Sequence, residues 1–389
     1  MTSFMMRHFK PYCWICLVSG LVIFQRLRAT QQHQTNMIWK AFPLFYAFIC
    51  FVLLILSTVF FFYQMTVAFL ISVQVFTRWL YIVVFTVVGF KVLLNLLCIA
   101  LQSRHLFDFF KESARYETSV NFVPPECCRQ TKTTYFIRLM HCLAFVGNLC
   151  LSDYLLCGFL DYLEYSGTQG VVLKVSCIAG DFIFYVYQMV DFVVLRPCLE
   201  VLLLYIRQQH EVVRCMIDGG GSLVFVNRAM KVEEVRMNLC AIALLKTQLN
   251  GIWRWSITVS GGAVLFFACS CTYTAFVEGL STLQSIICLL YSVLLALKVL
   301  DITGLSQEMV NELRSMRQTL QSAPTGQQNG AYFTQISYLR DTIKPKEMAV
   351  SGCGFFSLNL PLIVSLAGSA ITYTVILVQT SESVKTTAK

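Results

Sequence analysis

The sequence is short of charge. Lysine, arginine, aspartate and glutamate make up 13% of the 389 residues, about half of the share that a soluble domain carries. Hydrophobic residues make up 57%, and the mean hydropathy is +0.65. A soluble core cannot absorb so much apolar surface, so the excess must face lipid. These proportions exclude two soluble domains and predict one helical bundle in a bilayer.

Motifs for catalysis and metal binding are missing as well. The sequence has no P-loop, no G-x-S-x-G and no paired carboxylates in a polar site, and its five histidines lack metal-ligand spacing. The 17 cysteines lie mostly in apolar runs, where they are typical of packing rather than of a disulfide framework. We therefore expect no enzyme activity and no cofactor or metal.

Extracellular features are equally sparse. The chain has no N-x-[ST] sequon, which predicts short outer loops. The run 11–24 follows Arg7 and Lys10 and has the length of a signal peptide, but no small-x-small cleavage site comes after it. It is also too short to span. We expect it to be retained as an interfacial or re-entrant segment.

Apolar stretches long enough to cross a membrane recur along the chain. A span needs about 20 apolar residues. Seven stretches qualify, at 41–63, 79–101, 136–160, 171–195, 255–277, 282–300 and 357–378. The predicted fold class is therefore all-α, a polytopic membrane protein with seven transmembrane helices.

The distribution of basic residues orients these spans. The net charge of +9 is not arranged as a nucleic-acid-binding stripe, because the basic residues stand between the apolar runs. With a cytoplasmic N-terminus, the inner segments hold 21 lysines and arginines and the outer segments hold 3. The positive-inside rule then predicts a cytoplasmic N-terminus and an extracellular C-terminus.

Two inner segments have helical periodicity. Between 227 and 248 the apolar residues recur every three or four positions, and the same holds for 303–320. The region 196–218 continues the fourth span, and flexible breaks are expected at 219–221 and 322–330. The predicted division is 1–40 cytoplasmic, 41–195 spans one to four, 196–254 a cytoplasmic helical extension, 255–300 spans five and six, 301–356 a cytoplasmic anchor, 357–379 the last span and 380–389 a short extracellular tail.

The last span carries a stripe of small and weakly polar residues. Ser365, Ser369, Thr372, Ile376 and Gln379 follow one another at spacings of three or four, so they share one face of a helix. Such a stripe permits close helix packing. It can equally line a water-filled path, because polar groups in hydrocarbon need protein or water. The residues alone leave both interpretations open.

A family resemblance lies in the same span. Residues 372–379 read Thr-Tyr-Thr-Val-Ile-Leu-Val-Gln. They resemble the signature of insect gustatory receptors, in which Thr-Tyr is followed by five apolar residues and Gln-Phe. The segment 354–359, Gly-Phe-Phe-Ser-Leu-Asn, is similar to the family's lead into this span. Thr380 stands where the family has phenylalanine.

The resemblance implies a ligand-gated, non-selective cation channel of four subunits. Its last helix would line the pore, with Gln379 and Thr380 at the extracellular gate and Tyr373 in a structural role. A homo- or heterotetramer with related subunits, in the plasma membrane of sensory neurons, would detect a small-molecule tastant. Bitter compounds are the family's commonest class. The lipid bilayer is the other expected partner, and no nucleic acid is expected.

A ligand pocket is expected near the outer ends of spans two to six. Aromatic and polar residues there suit small organic ligands. Trp and Tyr also anchor helices at membrane interfaces, so both roles stay open. The candidates are Trp79, Tyr81, Asp153, Tyr154, Tyr162, Tyr165, Asp181, Tyr185, Tyr273 and Tyr291.

Charges inside the spans form a separate prediction. Lys91 and Asp181 lie at similar depth, so they are expected to pair or to meet water in one cavity, with separate snorkelling as the alternative. Lys91 would then have a structural role. Asp191 and Lys298 lie near inner ends, where snorkelling to the interface suffices.

Two other functions compete with a channel. A seven-span receptor coupled to G proteins would normally have an outside N-terminus and Asp-Arg-Tyr and Asn-Pro-x-x-Tyr motifs, which the sequence lacks. A transporter would be expected to show internal repeats or broken helices, and no repeat is visible.

The orientation is testable with terminal epitope tags. Antibody should reach an N-terminal tag only after cells are permeabilised, and a C-terminal tag in intact cells, because the basic residues concentrate in the inner segments. Staining of the N-terminal tag in intact cells would contradict the predicted topology and the channel interpretation with it.

Overall fold

The structure, a computed structural model, describes the greater part of the chain. The described residues are 3–18, 45–56, 58–59, 75–124, scattered positions within 139–150, 168–218, 225–277, 283–322 and 330–387. Nearly all of them are helical, and one small hairpin is the exception. The predicted third span and the breaks at 219–221 and 322–330 lie largely outside the described residues.

The described helices are numbered here in chain order. They are α1 (Phe4–Val18), α2 (Phe45–Leu56), α3 (Val75–Ser119), α4 (Thr168–Asp218), α5 (Phe225–Val277), α6 (Leu283–Gln321), α7 (Gly330–Thr342) and α8 (Leu360–Thr387). A 3₁₀ turn (Pro345–Met348) and the strands β1 (Ser351–Gly352) and β2 (Phe356–Ser357) connect α7 to α8.

The predicted spans and the predicted inner segments form single long helices. By length and composition, three stretches of the described residues can cross a membrane: Thr86–Ser119, Ala229–Ser270 and Leu360–Thr380. The predicted spans 171–195 and 282–300 fall inside α4 and α6. Because α3 to α6 continue well beyond these spans, the periodic inner segments are extensions of the same helices.

Helix α5 is the central helix of the described bundle. It packs against α3, α4, α6, α7 and α8. The face predicted from its periodicity is the buried one, since Val232, Val235, Ile242 and Leu245 are at most 3% exposed. Burial of each such side chain contributes about 1.5–3 kcal/mol, so the inner extension of α5 is held by packing rather than by helix propensity.

Helix α1 is fastened to the inner extensions of α3 and α4. The Glu117 carboxylate accepts hydrogen bonds from the backbone N–H groups of Phe4 (2.6 Å) and Met5 (2.8 Å), which caps the positive end of α1. The Tyr205 hydroxyl donates to the same carboxylate at 2.5 Å. Burial and this carboxylate raise the pKa of Tyr205. The described part of the segment predicted to be interfacial or re-entrant (11–18) thus belongs to a helix that is docked on α3 and α4, and residues 19–24 lie outside the described residues.

A buried arginine ties α4 to α6. The Arg196 guanidinium is 2% exposed and is paired with Asp301 of α6 and with Glu200 one turn further along α4. Glu200 in turn lies 2.9 Å from the His8 ring of α1. Helices α1, α4 and α6 are therefore joined at the start of the inner extensions by one chain of polar contacts through His8, Glu200, Arg196 and Asp301.

A short hairpin with strands of two residues each leads into α8. Ser351 pairs with Ser357, and Gly352 with Phe356. The turn residues Cys353 and Gly354 have φ of 49° and 79°, which is the geometry that matches the twist of two antiparallel strands. The strand β1 is held on α5, because Ser351 N–H donates to Asn250 Oδ1 at 2.9 Å.

Helix α8 begins with a side-chain cap. The Leu362 N–H donates to Asn359 Oδ1 at 3.0 Å, which satisfies one of the free donors of the first turn. The helix therefore starts at Leu360 rather than at 357, since the hairpin occupies the predicted first residue. It also runs to Thr387, well past the predicted end of the span at 378.

Gly352 has no room for a side chain. A Cβ there would lie 2.6 Å from the Phe356 ring and 2.9 Å from Thr258 Oγ1, and the same ring fills the space above Gly261. The Phe356 ring is thus enclosed between the hairpin and α5, and only a glycine at 352 permits this.

Gly352→Ala should therefore destabilise the protein by about 1–3 kcal/mol, as overpacking does. The midpoint of thermal unfolding in detergent measures this. Gly304→Ala is the matched control: nothing lies within 4 Å of a Cβ at this helical position, and alanine favours a helix. Equal midpoints for the two variants would contradict the enclosed ring.

Candidate pore face and a buried polar cluster

Helix α8 is attached to the bundle along one narrow face. Thr374 is 5% exposed and is the one buried residue among the described side chains of the helix. Its hydroxyl donates to the Ala370 carbonyl at 2.7 Å, and the Cys269 thiol of α5 donates to that carbonyl at 3.6 Å. Ala370 and Thr374 thus lie on the side of α8 that faces α5, and α8 also touches α6.

The predicted stripe lies on the opposite side of α8. Thr374 follows Ser365 by nine residues, which is two and a half turns at 3.6 residues per turn. Ser365, Thr372 and Gln379 are exposed, Ile376 is 49% exposed and Ser369 is half-buried. The described part of the bundle does not cover this stripe, so packing against the described residues does not account for it.

Hydroxyl groups on this face are satisfied by their own helix. Thr372 Oγ1 donates to the Gly368 carbonyl at 3.0 Å, and Thr380 Oγ1 to the Ile376 carbonyl at 2.8 Å. Thr372 and Thr380 can therefore face water, lipid or another protein at little cost. The exposed Gln379 amide is more demanding, because a primary amide in hydrocarbon requires a partner.

The predicted ligand-pocket residues are described only in part. Asp181 (5% exposed) and Tyr185 (6%) are buried one turn apart on α4, and Tyr273 is fully buried on α5. Trp79, Tyr81 and Tyr291 lie in α3 and α6, but their side chains lie outside the described part of the structure. Asp153, Tyr154, Tyr162 and Tyr165 are outside the described residues altogether. The pocket stays a prediction.

A buried ion pair joins α4 to α6. Lys298 Nζ lies 2.5 Å from Asp191 Oδ1, and the two residues are 1% and 2% exposed. The other carboxylate oxygen is 2.8 Å from Ser256 Oγ and 3.1 Å from Ser260 Oγ, both on α5. The two serines are four residues apart and so share a face. Asp191, which is itself on α4, therefore joins α4, α5 and α6 at one point.

The same cluster reaches α3 through Asn95. Ser256 Oγ is 2.5 Å from Asn95 Oδ1, and Asn95 Nδ2 donates to the Tyr187 carbonyl of α4 at 2.9 Å. Ser256 has a single hydroxyl proton, so it donates either to Asn95 or to Asp191. Four long helices, α3 to α6, thus meet in one polar cluster formed by Asn95, Asp191, Ser256, Ser260 and Lys298.

The structure corrects the predicted pairing of Lys91 with Asp181. Lys91 is 1% exposed, and its charged neighbours are Asp191 and Lys298. Its Nζ has no hydrogen-bond acceptor among the described residues. One carboxylate, Asp191, therefore faces two buried amines. Lys298 holds it directly, and Lys91 is the second cation.

The snorkelling predicted for Asp191 and Lys298 is also wrong. Both lie a few residues from the predicted inner ends of their spans, at 195 and 300, so they meet at the same depth. Their equal depth and opposite charge are the features of the sequence from which this ion pair could have been predicted. The serines and Asn95 gave none, because single small polar residues in apolar runs do not reveal which face they occupy.

The ion pair forms one wall of a cleft at the base of α8. Asp191, Lys298 and Ser260 line it on one side, and Leu358 and Leu362 line it on the other. Its volume is about 20 Å³, enough for about one water molecule. The first turn of α8 is thus seated directly against the polar cluster.

Three substitutions separate the roles of the two lysines. Asp191→Asn leaves two buried amines without an anion and should lower the thermal midpoint most. Breaking a buried ion pair costs about 3–5 kcal/mol. Lys298→Met leaves Lys91 as the cation beside Asp191, so it should destabilise the protein less than Asp191→Asn does. Lys91→Met should leave the midpoint unchanged or raise it. If Lys91→Met lowers the thermal midpoint as much as Lys298→Met does, Lys91 has a partner of its own.

Comparisons with known proteins cover nearly the whole chain. The family model described as "7tm Chemosensory receptor" matches residues 9–383. No significant match was found among curated protein sequences.

Two solved structures share the fold. Both are of the insect olfactory receptor OR5 from Machilis hrabei. The structure in complex with eugenol has a TM-score of 0.67 at 13% identity and covers 96% of this chain and 97% of that one. The second structure of the same receptor has a TM-score of 0.66 at 14% identity, with 95% and 97% covered. At such identity the likeness shows the fold alone, and it confirms the all-α, seven-span class. On the family match, the chain belongs to the 7tm chemosensory receptor family.

Proposed function

We propose that the protein is a gustatory receptor: a subunit of a ligand-gated, non-selective cation channel that depolarises a sensory neuron when a tastant binds. Family membership supports a chemosensory receptor. The taste assignment depends on the Thr-Tyr…Gln resemblance at 372–379. The observation that carries the channel assignment is the exposed stripe of α8, which faces away from Thr374.

The one-sided attachment of α8 supports pore formation between subunits. A helix held along a single line leaves a wide arc for other contacts, and the stripe lies at the centre of that arc. Assembly of four copies would bring four such stripes around one axis. Small hydroxyl side chains, Ser365 and Thr372, would then line a water-filled path whose diameter they do not block.

The gate is proposed at the outer end of this path. Four Gln379 amides would coordinate partly dehydrated cations without strong selectivity. Thr380 would occupy the position of the family's aromatic residue. A ring of threonines closes a pore less effectively by dewetting than a ring of phenylalanines, since the hydroxyl offers water a hydrogen bond.

The remaining parts of the chain take complementary roles in this proposal. The outer half of spans one to four (41–195) would hold the tastant near Asp181 and Tyr185. The inner extensions (196–254 and 301–356) would anchor the assembly. One solved relative, the olfactory receptor OR5, is in complex with the small molecule eugenol, and an analogous organic ligand is proposed here.

Cysteine accessibility tests the pore face with a matched pair of sites. Thr372→Cys and Thr374→Cys make the same change two residues apart on opposite faces of α8. In cells that respond to a tastant panel, a cationic thiol reagent should alter the current of Thr372→Cys and leave Thr374→Cys unchanged. The unsubstituted protein, with its 17 cysteines, sets the baseline.

The opposite pattern would contradict the proposal. If the reagent modifies Thr374→Cys and does not affect Thr372→Cys in channels that open, the stripe does not line the ion path. Surface biotinylation shows in the same cells that both variants reach the membrane.

A further inference from the structure

A polar recess opens between α3 and α5, apart from the pore face and the polar cluster. It has a volume of about 340 Å³, which is at the lower end of the range for small-molecule sites. We call it the α3–α5 recess. Its walls are Gln102, His105 and Asp108 of α3 and Gln248, Gly251, Ile252 and Arg254 of α5.

The recess lies at the predicted inner surface of the membrane. Gln102 directly follows the span 79–101, and Arg254 directly precedes the span 255–277. On the membrane side of the recess, Leu97 and Leu101 continue the face of α3 that carries His105 and Asp108, and they are 52% and 74% exposed. An apolar surface of α3 thus leads straight down to a polar cavity.

An interfacial aromatic residue borders the recess on α5. Trp255 is 51% exposed, and the Arg254 guanidinium lies 5.9 Å from its ring centroid. Trp is enriched where the headgroups of a bilayer begin. Arg254 makes no ion pair among the described residues, and the cation–π contact holds it at the mouth of the recess.

The charge around the recess is positive. Arg104 and Lys111 lie on α3 one turn to either side of Asp108, and both are exposed. Together with Arg254 they supply three cations beside the carboxylate of Asp108, while Glu112, one turn further along α3, is neutralised by its own ion pair with Arg115. A phosphate group would be attracted despite Asp108, and planar guanidinium groups such as Arg254 bind phosphate well.

Two further features of the recess concern its occupant: a hydrogen-bond acceptor, which suits a group with hydroxyls, and additional space. Gln248 Oε1 is buried and has no hydrogen-bond donor among the described residues. A rotation of this side chain, which lines the recess, would let it accept a hydrogen bond from a headgroup hydroxyl. Gly251 adds space, because nothing lies within 4 Å of a Cβ built there. The cavity is therefore open on α5 where a side chain would otherwise fill it.

We propose that the α3–α5 recess binds the phosphorylated headgroup of an anionic phospholipid from the cytoplasmic leaflet. The acyl chains lie along Leu97 and Leu101, the phosphate meets Arg254, and a headgroup hydroxyl donates to Gln248. Basic pockets at this depth are known to hold such headgroups in membrane proteins generally. The site couples α3 to α5, the helix on which the hairpin before α8 is held.

Thermal stabilisation of the purified full chain in detergent measures this binding, since a ligand of the folded state raises the unfolding midpoint. A short-chain phosphatidylinositol 4-phosphate should raise the midpoint saturably. Phosphatidylcholine with the same acyl chains should not. The free inositol phosphate headgroup and inorganic phosphate should bind far more weakly, because they lack the chains that pack on α3.

Two substitutions should weaken binding of the lipid for different reasons. Arg254→Gln removes the cation and should raise the apparent Kd about fivefold, the share of one basic residue. Gly251→Leu fills the cavity without a change of charge and should weaken binding at least as much. Arg317→Gln removes an exposed cation outside the recess and should leave binding intact.

Four results would overturn the proposal. Equal binding of the free headgroup would indicate a site for soluble anions rather than for lipid. Equal binding of phosphatidylcholine would indicate a purely apolar contact. Unchanged lipid binding in Gly251→Leu, or equal losses in Arg254→Gln and Arg317→Gln, would indicate a diffuse electrostatic effect with no contribution from the recess.

Discussion

The arrangement of the long helices depends on one buried carboxylate. Asp191 meets Lys298, Ser256 and Ser260 within hydrogen-bond distance, and Ser256 extends the contact to Asn95. A charge taken out of water is costly unless it is paired and its remaining lone pairs are filled. Asp191 therefore fixes the relative positions of α3, α4, α5 and α6 far more strictly than apolar contacts, which tolerate sliding. The base of α8 packs against the same point, so the geometry at the start of the candidate pore helix is set by this cluster.

A second constraint is the narrow attachment of α8. The helix contacts the bundle along the side that carries Ala370 and Thr374 and, in its first turn, through Leu362. The hairpin holds the start of the helix through Gly352 and the Phe356 ring. The stripe on the opposite side of α8 is not covered by any of the described residues. A helix can move at its outer end while its inner end stays fixed if it is held firmly at the inner end and has few contacts along the rest of its length. Helix α8 has both properties among the described residues. The polar cluster and the hairpin thus hold the inner end of the helix whose exposed stripe is the candidate pore face.

Much of the architecture could be predicted from hydropathy and periodicity. The apolar runs predicted the helices, and the repeat through Val232, Val235 and Ile242 predicted the buried face of α5, because burial of an amphipathic helix requires that spacing. Contacts between helices could not be predicted in this way. Lys91 was assigned to Asp181 on depth alone, whereas rotation about the helix axis decides which of several equally deep charges it meets. The hairpin was missed because two-residue strands leave no periodicity, although Gly354 marks the turn.

The most direct measurement is a cryo-electron microscopy structure of the full chain in lipid nanodiscs. Four copies around one axis are expected, with Ser365, Thr372 and Gln379 of each α8 facing that axis and Thr374 facing α5 of its own subunit. A chain whose stripe faces lipid, or an assembly in which the Thr374 face lines the axis, would contradict the assignment of α8 as the pore helix.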